Sequence, residues 1–140
     1  MKSIHVCKIV KTNHVLNDLR NLIRFSGKCN VSAVEHLEDG YLWATDWDLE
    51  LYVPTASHDI TAIAIPVRAF RIGPGKNGHR CRVENVVENR FSYTVTLSSL
   101  LSRDAAPLKW KLPKQEWRKI CADTVSMHIP CEDILLLQKQ

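Results

Sequence analysis

The sequence predicts an α+β fold: two helices packed on one side of a curved, mostly antiparallel sheet, followed by a short C-terminal β-α-β appendage. Three observations carry that expectation. Val15, Leu16, Leu19, Leu22 and Ile23 recur at helical spacing and make an apolar stripe. Residues 41–53 alternate apolar and polar with the period of a half-buried strand. Glu38-Asp39-Gly40 and Glu88-Asn89-Arg90 each separate two β-rich runs, as hairpin turns do.

The elements follow in order. Residues 3–10 are rich in β-branched side chains and read as a strand. Thr12 or Asn13 can cap a helix over 13–25, because a short side-chain oxygen satisfies the free amides of the first turn. Its polar face holds Asn17, Arg20, Asn21 and Arg24 and continues toward Lys28; Ser26-Gly27 ends it. Residues 31–37 and 41–53 form the first hairpin. Trp43, Thr45, Trp47, Leu49, Leu51 and Val53 share one face of the return strand, and Asp46, Asp48 and Glu50 the other. A strand over 60–65 stops at Pro66, and residues 67–72 suit a short helix, with Arg68 and Arg71 outside and Gly73-Pro74-Gly75 as its terminator.

Residues 81–87 and 91–97 make the second hairpin, with Phe91, Tyr93, Val95 and Leu97 directed to the core and Ser92, Thr94 and Thr96 to water. Residues 102–107 read as a linker between a domain over 1–101 and an extension over 102–140. The extension comprises a strand at 108–112, a helix opened by Pro113 with Trp117, Ile120, Cys121 and Val125 on one side, and a last strand at 134–137. The expected core includes Leu16, Leu19, Ile23, Leu49, Leu51, Phe70, Tyr93 and Val95.

Composition narrows the function. The chain has 140 residues, 45% hydrophobic and 24% charged, which is ordinary globular usage. No apolar run approaches the roughly 20 residues that a membrane span needs, so a soluble, cytoplasmic protein is expected. Five widely spaced cysteines without a Cys-x-x-Cys pair, and six scattered histidines, give no disulfide framework and no metal site. Asp46, Asp48 and Glu50 could hold Mg²⁺ if a strand aligned them, but a solvated polar face is the simpler reading. Gly73-x-Gly75-x-x-Gly78 has dinucleotide-loop spacing without the strand and helix that such a loop requires. No cofactor is expected, and no enzymatic activity.

Charge is segregated along the chain. Residues 1–30 carry six cations and one acid, residues 31–60 seven acids and no Lys or Arg, and residues 61–90 six cations and two acids. A basic face that meets a polyanion is the natural use of such a pattern.

Four stretches in order resemble the bacterial sliding clamp family, the beta subunit of DNA polymerase III. LEDGYLWATDWDLELYV (37–53) is similar to that family's first-domain hairpin, and ITAIAIPVRAF (60–70) to the strand before its second helix. RFSYTVTL (90–97) resembles the strand that closes the first domain, and LKWKLPKQEWRKIC (108–121) the opening of the second. The resemblance implies a truncated or mini clamp, non-catalytic, that associates weakly and non-specifically with double-stranded DNA. It implies DNA-facing helices, with Arg20, Arg24, Lys28, Arg68, Arg71 and Lys76 as the DNA-binding residues. It further implies a homo-oligomer and replication or repair proteins as partners. The alternative is a stand-alone interaction or small-ligand-binding module, with the four tryptophans among its anchors.

Overall fold

Alternating apolar and polar residues write most of this chain as strands. The computed structural model describes residues 7–11, 14–16 and 28–139. In order these form β1 (Cys7–Lys11), β2 (His14–Leu16), β3 (Cys29–His36), β4 (Tyr41–Ala44), β5 (Leu49–Tyr52), β6 (Ile60–Pro66), β7 (Arg71–Ile72), β8 (His79–Glu88) and β9 (Ser92–Ser99). β10 (Leu108–Pro113), the helix α1 (Lys114–Ile120), β11 (Thr124–His128), a 3-10 turn (Cys131–Asp133) and β12 (Leu135–Lys139) complete them.

The strands make two antiparallel sheets. One has seven strands in the order β2-β1-β12-β6-β3-β4-β5, the other five in the order β10-β9-β8-β11-β7. Leu42, Leu49, Leu51, Ile63 and Ile65 of the first sheet share a single core with Val95, Leu97, Leu108, Trp110, Val125 and Met127 of the second. A smaller cluster of Cys29, Ala62, Ala64 and Leu137 lies on the other face of β3, β6 and β12. From Ala62 to Ile65 strand β6 is thus buried on both faces, which is why those residues are an apolar run rather than an alternation; Thr61, near its start, is exposed. Strand pairing crosses residue 101: β10 pairs with β9, β11 with β8, and β12 with both β6 and β1.

This mostly β architecture corrects the expected α+β layout of two helices on one sheet. Within the helix expected over 13–25, His14–Leu16 is instead a strand paired with β1, and residues 17–25 lie outside the described residues. The segment 67–72 is a turn leading into β7. Its amides are claimed by neighbours: Val67 N–H donates to Lys28 O and Ala69 N–H to Pro66 O, while Arg71 and Ile72 pair with β11. A helix confined between Pro66 and Gly73 could close too few bonds to offset its nucleation. The C-terminal helix ends at Ile120, and Val125 belongs to β11, where Val125 and Met127 alternate into the core.

The expected strand over 41–53 is a hairpin. Residues 45–48 turn the chain so that Ala44 pairs with Leu49 and Trp43 with Glu50. Asp48 takes a positive φ of 52° there, and Ser32 Oγ accepts from Asp46 N–H. Asp39 and Gly40 both have positive φ in the preceding turn, the requirement of a tight hairpin that Asp-Gly meets. Leu49, Leu51, Phe70 and Val95 are buried and Tyr93 is half-buried. The side chains of Leu16, Leu19 and Ile23 lie outside the described residues.

Two asparagines close the seams between the sheets. Asn30, itself buried, donates to Ile65 O and Lys109 O and accepts from Lys109 N–H at 2.7 Å. Asn77 mirrors it on β5, accepting from Tyr52 N–H and donating to Tyr52 O and Ile129 O. The outer edges of β10 and β5, where another chain could add a strand, are therefore occupied at these positions from within. Next to Asn77, His79 Nε2 donates to Glu50 O at 2.9 Å.

Burial lowers the pKa of His79 below the ordinary 6.5, partly countered by the Glu50 carbonyl and the Glu50 charge. The unfolded chain therefore binds the proton more readily. The stabilising contribution of neutral His79 is present above about pH 6.5 and is lost as pH falls toward the lower folded value. Urea denaturation at pH 7.5 and 5.5 should show lower stability at the acidic pH. His79→Gln, which keeps a donor for Glu50 O without titrating, should reduce that difference; an undiminished difference would reject the assignment.

Burial also pushes the Cys29 and Cys81 thiols up to about 11, so both behave as small apolar side chains, whereas Cys121 is exposed.

Candidate nucleic-acid interface

The five-stranded sheet turns one face to the core and the other outward. On β10, Leu108, Trp110 and Leu112 are buried, so the intervening Lys109 and Lys111 must point out. On β8, Cys81 is buried and Arg80 and Arg82 flank it. Register sets the neighbours of these cations: Lys109 stands opposite Thr96, Lys111 opposite Thr94, Arg82 between Ser98 and Thr124, and Arg80 opposite Ser126.

The side chains of Arg80, Arg82 and Lys109 lie across the strands on those hydroxyls. Lys109 Nζ donates to Thr96 Oγ1 at 2.8 Å, and Arg82 donates to Ser98 Oγ at 3.2 Å. Arg80 spans Thr124 Oγ1 at 3.0 Å and Ser126 Oγ at 3.3 Å. Thr96 and Ser98 are consequently buried although they point outward, covered by the cationic stems.

The electrostatic consequence is specific. Hydroxyls fix a cation's position without neutralising it, so the charge stays available to an outside anion. Among the described residues, Arg80, Lys109 and Lys111 make no ion pair, and Arg82 has only Glu84, at 4.0 Å. The backbone beneath is also held: Asn30 grips both backbone groups of Lys109, and Lys111 N–H donates to Val67 O at 2.8 Å. Helix α1 sits on the opposite side of the sheet, where Trp117 enters the core and Lys114 pairs with Glu88 at 2.9 Å. That pairing holds the Glu88 carboxyl below its usual range.

Beside this face, Arg68, Arg71, Lys111 and Glu116 rim a groove of about 320 Å³ between β7 and β10. Phe70 and Trp110 pack together beneath it, ring centroids 6.1 Å apart.

The residues expected from the clamp resemblance are distributed differently. Arg20 and Arg24 lie outside the described residues. Lys28 is exposed at the entrance to β3, and its carbonyl receives Val67 N–H, which brings its backbone beside the Arg68 turn. Arg68 and Arg71 meet at the groove. Arg71 is largely committed to structure, donating to the carbonyls of Arg68, Ala69 and Phe70 and standing 3.6 Å from Asp133. Lys76 is exposed in the bend between β7 and β8, next to the Asn77 seam.

Arg80, Arg82, Lys109 and Lys111 are not among the DNA-binding residues that the resemblance implies. Their signal was present as Arg-Cys-Arg and Lys-Trp-Lys, each a cation pair at strand spacing around an apolar residue. Asp46 and Asp48 fall in the 45–48 turn rather than on one strand face with Glu50. Among the described residues no group of three His, Cys, Asp or Glu side chains is placed to hold a metal, and no helix is long and apolar enough to cross a membrane. No protein-family model matches the chain, and no curated protein matches it.

Proposed function

We propose that the chain is a non-enzymatic nucleic-acid-associating domain that holds a phosphate backbone, without regard to sequence, on the outer face of its five-stranded sheet. The supporting observation is the set of four cations on one sheet face, Arg80, Arg82 and Lys109 resting on neutral hydroxyls and Lys111 opposite Thr94, with one carboxylate, Glu84, beside Arg82. Phosphate contacts position a nucleic acid but carry no sequence information, so cations fixed at strand spacing suit sequence-independent association. Duplex DNA, the partner implied by the clamp resemblance, remains the first ligand to test, with a sheet face taking the role expected of two helices.

Fluorescence anisotropy of a labelled duplex across a salt series tests the reading. Four phosphate contacts should give log K against log salt a slope of about −3 to −4, with a Kd of about 10⁻⁴–10⁻⁶ M at physiological salt. Absence of binding at low salt, or a slope near zero, would reject it.

A further inference from the structure

Alternation over residues 91–97 predicts Phe91 in the core, as the first inward residue of a strand, yet it is 78% exposed at the tip of the β8–β9 hairpin. Its packing partner is the neighbouring Arg90, whose guanidinium carbon lies 5.1 Å from the ring centroid. An apolar ring left in water on a loose loop would mean little. Here the turn is fixed: Asn89 N–H donates to Ser92 O at 2.8 Å, and the Asn89 amide donates to Ser92 Oγ at 3.3 Å and Thr94 Oγ1 at 2.8 Å. Thr94 stands directly opposite Lys111. The tip is thereby anchored to the same outer face that carries the cations.

We infer that Phe91, backed by Arg90, is a stacking platform for an unpaired nucleobase, so that the favoured ligand is a nucleic acid with single-stranded character rather than a closed duplex. The inference rests on the phosphate-binding reading above and adds the ligand class. A duplex keeps its base faces within the stack and offers Phe91 nothing to cover. A single strand running over Lys111 and Lys109 offers bases that can swing onto the ring, and stacking tolerates any base because each has a π face. The preorganised turn lowers the ordering cost of that contact. Charge complementarity favours this occupant over an apolar protein surface, since the ring lies against Arg90 and its turn is tied to Thr94, the residue opposite Lys111.

The test measures anisotropy of a labelled oligothymidylate of about 10 nucleotides, beside a duplex with the same number of phosphates at the same salt. Wild-type protein should prefer the single strand. Phe91→Ala should lower single-strand affinity about tenfold and erase most of the preference, while Phe91→Trp, which retains a stacking ring, should preserve it. Unchanged single-strand affinity in Phe91→Ala, with binding still abolished by Arg80→Glu/Arg82→Glu, overturns the stacking inference and leaves the phosphate reading standing. Unchanged binding in Arg80→Glu/Arg82→Glu rejects the phosphate reading itself. Phe91-dependent sedimentation with anionic lipid vesicles, without single-strand preference, also overturns the inference in favour of a membrane contact.

Discussion

Arg80→Glu/Arg82→Glu should abolish nucleic-acid binding, lowering affinity by about a hundredfold or more at low salt. The double change removes two positioned cations and sets two anions against the phosphates, between the hydroxyl rows of Ser98, Thr124 and Ser126. The domain should still fold. Arg80 is exposed and Arg82 part-exposed, and the hydroxyls that now accept from the arginines can donate to the new carboxylates instead. No buried polar group is left orphaned. Lys119→Glu, on the helix across the sheet, should change affinity far less. Anisotropy alongside circular dichroism separates lost binding from lost structure, and equal losses from both variants would mean that net charge, not this face, governs association.

Trp110→Ala should cost about 3–5 kcal/mol of folding stability, a large share of the roughly 5–15 kcal/mol typical of a domain. Trp110 is 1% exposed and packs against Phe70 in the core shared by both sheets. It also lies between Lys109 and Lys111 on β10, so a cavity there loosens the strand that presents half of the cationic set. Chemical denaturation measures the cost. A loss below about 1 kcal/mol would mean that the site collapses to fill the cavity and that β10 is not held from beneath.

The β elements were legible where a local rule decided them. Asp39-Gly40 needs two positive φ angles and supplies residues that adopt them; β8 and β9 flank a polar turn; residues 62–65 of β6 are apolar because both faces are covered there. The helices were legible only in part. Pro113 marks the start of α1, but nothing local distinguishes a helix through Val125 from a short helix followed by a strand, because Val125, eight residues after Trp117, falls on the apolar side of a continued helix and equally on one face of a strand with Met127. The residues 67–72 failed for a tertiary reason: their amides are taken by Lys28 and β11, far away in sequence. Residues 41–53 failed because alternation continues through a four-residue turn, so Leu49 and Leu51 face the core whether the chain runs straight or folds back. That same turn separates Asp46 and Asp48 from Glu50.

The candidate face was hidden for a related reason. Charge counted along the sequence gathers Arg68, Arg71 and Lys76 into one basic block, but cations meet across strands that register brings together. Lys109 and Arg82 share one sheet face only because β9 pairs with both β10 and β8. Phe91 sits one residue before β9, in the turn, where the alternation that would direct it to the core no longer applies.

The central claim, that the outer face of the five-stranded sheet holds a phosphate backbone, is tested most directly by following backbone amide resonances of isotope-labelled protein during titration with an unlabelled oligonucleotide. Perturbations should concentrate at Arg80, Arg82, Thr94, Thr96, Ser98, Lys109, Lys111, Thr124 and Ser126, and should collapse when salt is raised. Perturbations confined to β4, β5 or the exposed side of α1, with this set silent, would contradict it.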